Sequence, residues 1–286
     1  MERFEQLQQL IHNNQIGTLK MKLAEMNVVD IAAFMEVLDP ERRLLVFRVL
    51  PKDLSADVFS YLPAEAQEHI VDAISDKEVS QVVDGLFLDD TVDFLEEVPA
   101  NIVKKVLRNV DGETRGRIRQ FLNYPKDSAG SLMTVEFIEL HDRLTVRGAM
   151  DHIRKAGEEL ETLNTIYTID NTHHLIGALR LFDLIKNSED KRLADLRTAA
   201  PLSVRTGEDR EEVARIFHRY DLSELPVVDG EGRLVGLITV DDIMDVIQQE
   251  NTEDMEKMAA IVPSEKEYLK TSPLEMFRKR IVWLMV

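Results

Sequence analysis

The chain contains no cysteine, which excludes disulfide bridges and any metal site built on thiolates. A reducing compartment is compatible with that absence. Basic residues are scarce as well. The 35 Lys and Arg face 53 Asp and Glu, a net charge of −18, which argues against nucleic acid, because phosphate binding needs clustered Lys and Arg. The same deficit argues against a general anionic membrane surface. An acidic protein either favours cations or is simply kept soluble by its charge. No apolar run approaches the roughly 20 residues a membrane-spanning helix needs. The opening "MERFEQLQQL" has no cationic segment leading into an apolar one, so it does not read as a signal peptide. No Gly-rich phosphate loop and no nucleophile–base arrangement accompanies the acidic residues, and His173-His174 fall in a turn, so no enzyme is expected.

What is present is enough to fold. Hydrophobic residues make up 44% and charged residues 31%, a globular composition, and 286 residues leave room for two or three domains. The segment "FRKRIVWLMV" (277–286) runs from Arg278, Lys279 and Arg280 into six apolar residues. Bases leading into an apolar stretch with a Trp resemble the cytoplasmic start of a membrane helix; a short buried terminal helix is the alternative.

Residues 1–123 carry turn signals about a dozen residues apart: Asp39-Pro40, Leu50-Pro51, Leu62-Pro63, Ser75-Asp76, Leu88-Asp89, Val98-Pro99 and Asp111-Gly112. Apolar residues between them fall at helical spacing. Short helices at a fixed period predict an all-α superhelical array, with a plain bundle as the alternative. "NYPKDSAGSLMT" (123–134) breaks the rhythm and marks a domain boundary.

Beyond it the chain repeats itself. "YTIDNTHHLIGALRLFDLI" (167–185) aligns with "PVVDGEGRLVGLITVDDIM" (226–244) at a constant offset, pairing Asp170 with Asp229, Gly177 with Gly236 and Asp183 with Asp242. "LMT" (132–134) likewise matches "LRT" (196–198). Each copy reads as helix, strand, turn, strand, helix, with "DGEG" a clean hairpin signal and "DNTHH" a looser one. The unit resembles the cystathionine-beta-synthase (CBS) domain, which occurs as tandem pairs. "GLITVDD" (236–242) satisfies the hallmark strand of that domain, while "GALRLFD" (177–183) carries Arg180 at its hydroxyl position.

Two acidic stretches call for a positive partner. "TVDDIMDVIQQENTEDME" (239–256) contains no Lys or Arg, and "LDDTVDFLEEV" (88–98) contains none either. In the first, Ile243, Met244, Val246 and Ile247 are expected to form the buried stripe, leaving Asp241, Asp242 and Asp245 at its edge. In the second, Asp89 and Asp93 share one helix face at i, i+4. Oxygen-only donors select hard ions such as Mg²⁺ or Ca²⁺; a solvated acidic surface is the alternative.

The order of parts, from helical array through "YPKDSAGSLMT", paired CBS units and acidic helix to "SPLEMFRKRIVWLMV", resembles the cytosolic region of the MgtE-type magnesium transporters. The resemblance implies a helical domain over 1–123, CBS repeats over 124–188 and 189–250, a connecting helix over 251–272, and the start of a transmembrane helix over 273–286. It implies a homodimer on the cytoplasmic face of the membrane, joined to its own transmembrane pore domain and closed by Mg²⁺ at several sites. By motif, the implied metal ligands are Asp57, Asp89 and Asp93 in the helical domain, Asp209, Asp221, Asp242 and Asp245 in the CBS pair, and Glu250, Glu253 and Asp254 in the connecting helix. Ser131 stands where the family often has a second Gly. ATP is implied for some members through the first-repeat Asp, here Asp183, but Thr165, Phe182 and Leu222 replace the expected aromatic and basic neighbours, so weak binding is expected. The competing reading is an adenosine-nucleotide-sensing CBS module acting on another partner.

Overall fold

In the computed structural model, residues 2–156 and 160–258 are described, and they fall into two units that divide after Pro125. The apolar run at 281–286 and the expected membrane start over 273–286 lie outside the described residues.

The first unit is all helix: α1 (Glu2–His12), α2 (Ile16–Ala24), α3 (Val28–Glu36), α4 (Pro40–Val49), α5 (Lys52–Ser60), α6 (Ala64–Ala73), α7 (Asp76–Val83), α8 (Leu88–Glu97), α9 (Ala100–Asn109) and α10 (Gly112–Phe121). From α2 onward each helix packs on the one two places along, α2 on α4, α3 on α5 and so on to α8 on α10, which is the packing of a superhelix. Each turn signal in the sequence opens a helix. The Asp39 carboxylate accepts from Arg42 N at 3.0 Å with Pro40 as first helical residue, Ser75 and Glu78 form a reciprocal capping box, and Asp111 accepts from Glu113 N and Thr114 N. Phe59 sits at the centre of the core, its ring 6.2 Å from Phe47 and 5.2 Å edge-on from Phe94.

Bases close the other ends of these helices. Arg43 on α4 donates to the carbonyls of Met35, Glu36 and Leu38, which end α3. Lys105 on α9 donates to Val71, Asp72 and Ile74 at the end of α6, at 2.7–3.0 Å. Arg115 on α10 donates to Leu107 and Val110 at the end of α9. These cations satisfy the orphan carbonyls at the helix ends.

The second unit holds a short helix α11 (Ala129–Leu132) and then the same motif twice: β1 (Glu139–His141), α12 (Val146–Ala156), β2 (Thr165–Ile169), β3 (Leu175–Arg180), α13 (Leu181–Lys186), followed by β4 (Val204–Arg205), α14 (Arg210–Tyr220), β5 (Glu224–Val228), β6 (Leu234–Thr239), α15 (Val240–Met258). In each sheet the first strand runs parallel to the second and the second antiparallel to the third, with an irregularity at matching places, Thr168/Ile169 and Val227/Val228. The two hairpin turns are alike. Asp170 accepts from Thr172 N and His174 N, as Asp229 does from Glu231 N and Arg233 N, and His173 adopts the left-handed conformation (φ 65°) that Gly232 (φ 87°) holds in the second copy. "DNTHH" is thus no looser than "DGEG".

The copies are intertwined. Thr134, in the segment entering the first repeat, exchanges backbone hydrogen bonds with Leu237 of β6, at 2.7 and 3.0 Å. Thr198, entering the second repeat, donates to Ala178 of β3 at 2.9 Å. This crossing explains the repeated glycines. A Cβ on Gly177 would lie 2.6 Å from the Thr198 carbonyl, and one on Gly236 would collide with the Met133 side chain. Tyr167, Ile169, Ala178, Leu234 and Leu237 fill the space between the sheets.

Candidate metal centre

The expected ligands of the first unit stand on two helices. Asp89 and Asp93 occupy successive turns of α8, Asp89 buried and Asp93 exposed, because Leu88, Val92, Phe94 and Leu95 take the core face. Asp57 lies on α5, exposed beside the buried Ala56 and Val58.

In the second unit the carboxylates converge where α15 begins. The Asp242 carboxylate accepts the Thr239 hydroxyl at 2.7 Å and comes within 4.8 Å of a carboxylate oxygen of Glu161. Glu161 is held there by its backbone N–H, which donates to the Glu136 carbonyl at 2.8 Å. Burial pushes the Glu161 carboxyl above its ordinary range, and the charges of Asp241 and Glu136 push the same way, against the opposing hydroxyls of Thr134 and Thr239. One Glu161 oxygen is buried with no hydrogen-bond partner. Asp245, one turn along α15, is also raised, by partial desolvation and then by Asp241. Oxygen donors crowded until their pKa values rise, with one oxygen orphaned, fit a hard divalent cation such as Mg²⁺.

The other expected ligands of this unit lie on α14 and α15. Asp209 and Asp221 sit at opposite ends of α14: Asp209 caps its start by accepting from Glu211 N at 2.9 Å, and Asp221 ends it in the left-handed conformation at φ 50°. Glu250 already has a cation, since Arg210 reaches its carboxylate at 3.0 Å. Glu253 and Asp254 lie on the last turns of α15, but their side chains are outside the described residues. The stripe of α15 differs from expectation at one position: Ile243 and Val246 are buried, whereas Met244 is 64% exposed. Met244 follows Ile243 by 100° around the helix and so leaves the buried arc.

The expected nucleotide residue, Asp183, accepts from Arg180 N, Nε and Nη2 at 3.2–3.3 Å, and this guanidinium holds its carboxyl below the usual range. At the place in β5 that Thr165 occupies in β2 stands Glu224, buried, accepting the Thr162 hydroxyl at 3.1 Å. Sequence reasoning missed Glu136, Glu161, Glu224 and Arg210. Only Asp241 lay inside an acidic stretch already singled out.

A helical superhelix followed by two intertwined CBS repeats defines the class of chain. It belongs to the MgtE family, and that family is not an enzyme family. The MgtE intracellular N domain matches residues 26–127, and the CBS domain matches 193–249. The magnesium transporter MgtE of Thermus thermophilus is 34% identical over 98% of this chain and 63% of its own length. That of Enterococcus faecalis is 32% identical over 99% of this chain and 62% of its own. The chain therefore spans somewhat under two thirds of these relatives. Among solved structures, the soluble part of a magnesium transporter superposes with a TM-score of 0.80 at 29% identity, covering 87% of this chain and 98% of that one. The cytosolic domain of the Mg²⁺ channel MgtE in complex with ATP gives 0.79 at 35%, covering 84% and 98%. No helix among the described residues is long and apolar enough to cross a membrane.

Proposed function

We propose that this chain is the Mg²⁺-sensing cytosolic region of a Mg²⁺ transporter or channel, working as a homodimer on the cytoplasmic face of the membrane and joined to its own transmembrane pore domain. The acidic faces of the helical unit (Asp57, Asp89, Asp93), the CBS pair (Asp209, Asp221, Asp242, Asp245) and the connecting helix (Glu250, Glu253, Asp254) are drawn together by Mg²⁺ when it is abundant, and the pore shuts. When Mg²⁺ falls, the carboxylates repel one another, the parts separate and the pore opens. The observation that carries this reading is the crowding of carboxylates at the start of α15, where Asp242 lies within 4.8 Å of Glu161 and the carboxyls of Glu161 and Asp245 are raised, an arrangement a bound divalent cation would relieve. Shifting a population from 1:99 to 99:1 takes about 5.5 kcal/mol of differential binding, which several weak sites supply together and one does not.

Small-angle scattering and limited proteolysis of the 286-residue chain, in chelator and in millimolar Mg²⁺, test it. Compaction and protection are expected with Mg²⁺, and both are lost in Asp89→Asn with Asp242→Asn. A wild-type chain that neither compacts nor gains protection refutes the reading.

A nucleotide-sensing reading is favoured by the ATP-bound solved relative. It requires Asp183 to exchange Arg180 for the nucleotide. Calorimetry with ATP and AMP at fixed Mg²⁺ decides it: binding that Asp183→Ala abolishes supports it, and no heat of binding excludes it.

A further inference from the structure

The geometry points to Arg210 as a metal-independent latch that ties the late turns of α15 to the segment entering the CBS unit, holding Glu250 with a guanidinium rather than with an ion. Arg210 is the first residue of α14, and its side chain is only 20% exposed. Its Nε donates to one oxygen of Glu250 at 3.1 Å, and its Nη2 lies 3.0 Å from the same oxygen. Its Nη1 reaches the Asp127 carboxylate at 2.8 Å and the Gln249 side-chain oxygen at 3.3 Å. Its backbone N–H donates to the Asp127 carbonyl at 2.9 Å. One residue therefore grips two segments, at Asp127 and at Gln249-Glu250, that lie more than a hundred positions apart in sequence.

Both gripped segments are strategically placed. Asp127 comes two residues after the end of the helical unit, in the left-handed conformation at φ 63°. It leads into a run whose amides are already engaged: Ala129 N donates to the Glu208 carbonyl at 2.7 Å and Gly130 N to the Thr206 carbonyl at 2.8 Å. Glu250 lies in the half of α15 that runs away from the sheet, beyond the buried anchors Ile243 and Val246. Beyond them Ile247 is half-buried, and the guanidinium on the part-buried Glu250 carboxylate adds a directional tie between α15 and the start of α14. The neighbouring bases of α14 do not duplicate this grip, since Arg215 pairs with Glu211 and Glu212 on its own helix.

The latch reaches beyond the ion-sensing proposal and stands without it. A chain with this arginine keeps α15 and the junction segment coupled when no metal is bound, and any ion that binds Glu250 must first displace Nε and Nη2.

Hydrogen exchange on the 286-residue chain in chelator tests it. Arg210→Gln is expected to speed exchange about tenfold at the amides of residues 249–252 and, together with them, at Ala129 and Gly130, as loss of a partly buried charged hydrogen bond does. Amides of α6 in the first unit serve as the unaffected reference. Arg210→Lys, which keeps the charge but cannot fork, recovers part of the protection at one segment only. Glu250→Gln reproduces the effect at 249–252, and adding it to Arg210→Gln has no further effect. Unchanged exchange at both segments in Arg210→Gln overturns the latch, as does full additivity of the two substitutions. If Arg210→Gln lowers protection throughout the unit, the Glu250→Gln and Arg210→Lys pair still decides. Repeating the series in millimolar Mg²⁺ bears on the ion-sensing reading alone: failure of Mg²⁺ to restore protection at 249–252 counts against an ion at Glu250 and leaves the latch intact.

Discussion

Replacing Glu161 by Gln should stabilise the metal-free protein and at the same time blunt its response to Mg²⁺. The substitution keeps size and shape and removes one charge. With carboxylate oxygens within 4.8 Å, the Glu161–Asp242 repulsion is about 3 kcal/mol at an effective dielectric near 20. Glu161 is only partly buried, so solvent screens much of that repulsion and roughly 1 kcal/mol is expected to survive as a measured gain. For a unit of this size that is a rise in Tm of about 2–4 °C in chelator at neutral pH. In Mg²⁺ the order changes, because a lost ligand weakens binding and the stabilisation grows only as the logarithm of ion concentration over Kd. The sign with pH follows from the raised carboxyl. Its favourable contribution is complete below the ordinary carboxylate range and disappears as pH climbs through the raised value, so wild type and variant converge in acid. Thermal unfolding followed by circular dichroism, in chelator and in Mg²⁺ at two pH values, reads all three effects. A Tm in chelator that falls, with the Mg²⁺ shift undiminished, would refute the reasoning.

Two further outcomes follow from the same geometry. Gly236→Ala places a methyl into Met133 and should cost about 1–3 kcal/mol, seen as a lower urea midpoint for the second unit; a neutral result would mean the entering segment yields freely. Asp170 is held at about 2, first by the Thr172 hydroxyl, then by the Thr172 amide and His174. Its contribution to the hairpin turn is therefore present above the ordinary carboxylate pKa and lost as pH drops through about 2, and Asp170→Ala should erase that dependence in the amide shifts of Thr172 and His174.

The helical unit was legible because its start signals are local. Asp39-Pro40 and Ser75 with Glu78 each act within one turn, so adjacent letters suffice. The duplication was legible for a related reason: two copies of one pattern confirm each other. Less could be read of the carboxylate centre. Asp242 announced itself within an acidic run, but Glu161 is brought to it only by pairing with the strand region around Glu136, a distant contact that carries no sequence period. Arg210 was hidden in plain view, since a lone base at a helix start says nothing about which carboxylates the fold will deliver to it. Asp209 and Asp221 show the reverse case, in which acids chosen by motif also serve as helix ends.

The exchange of entering segments between the repeats also bears on how the chain can go wrong. Because Thr134 pairs with β6 and Thr198 with β3, each copy covers an outer strand edge of the other, and either half expressed alone would leave that edge bare and ready to recruit another polypeptide. The two crossings are also sterically distinct, since the glycine of one β-hairpin faces Met133 and that of the other faces Arg197 and Thr198, so each entering segment has its own fitted seat.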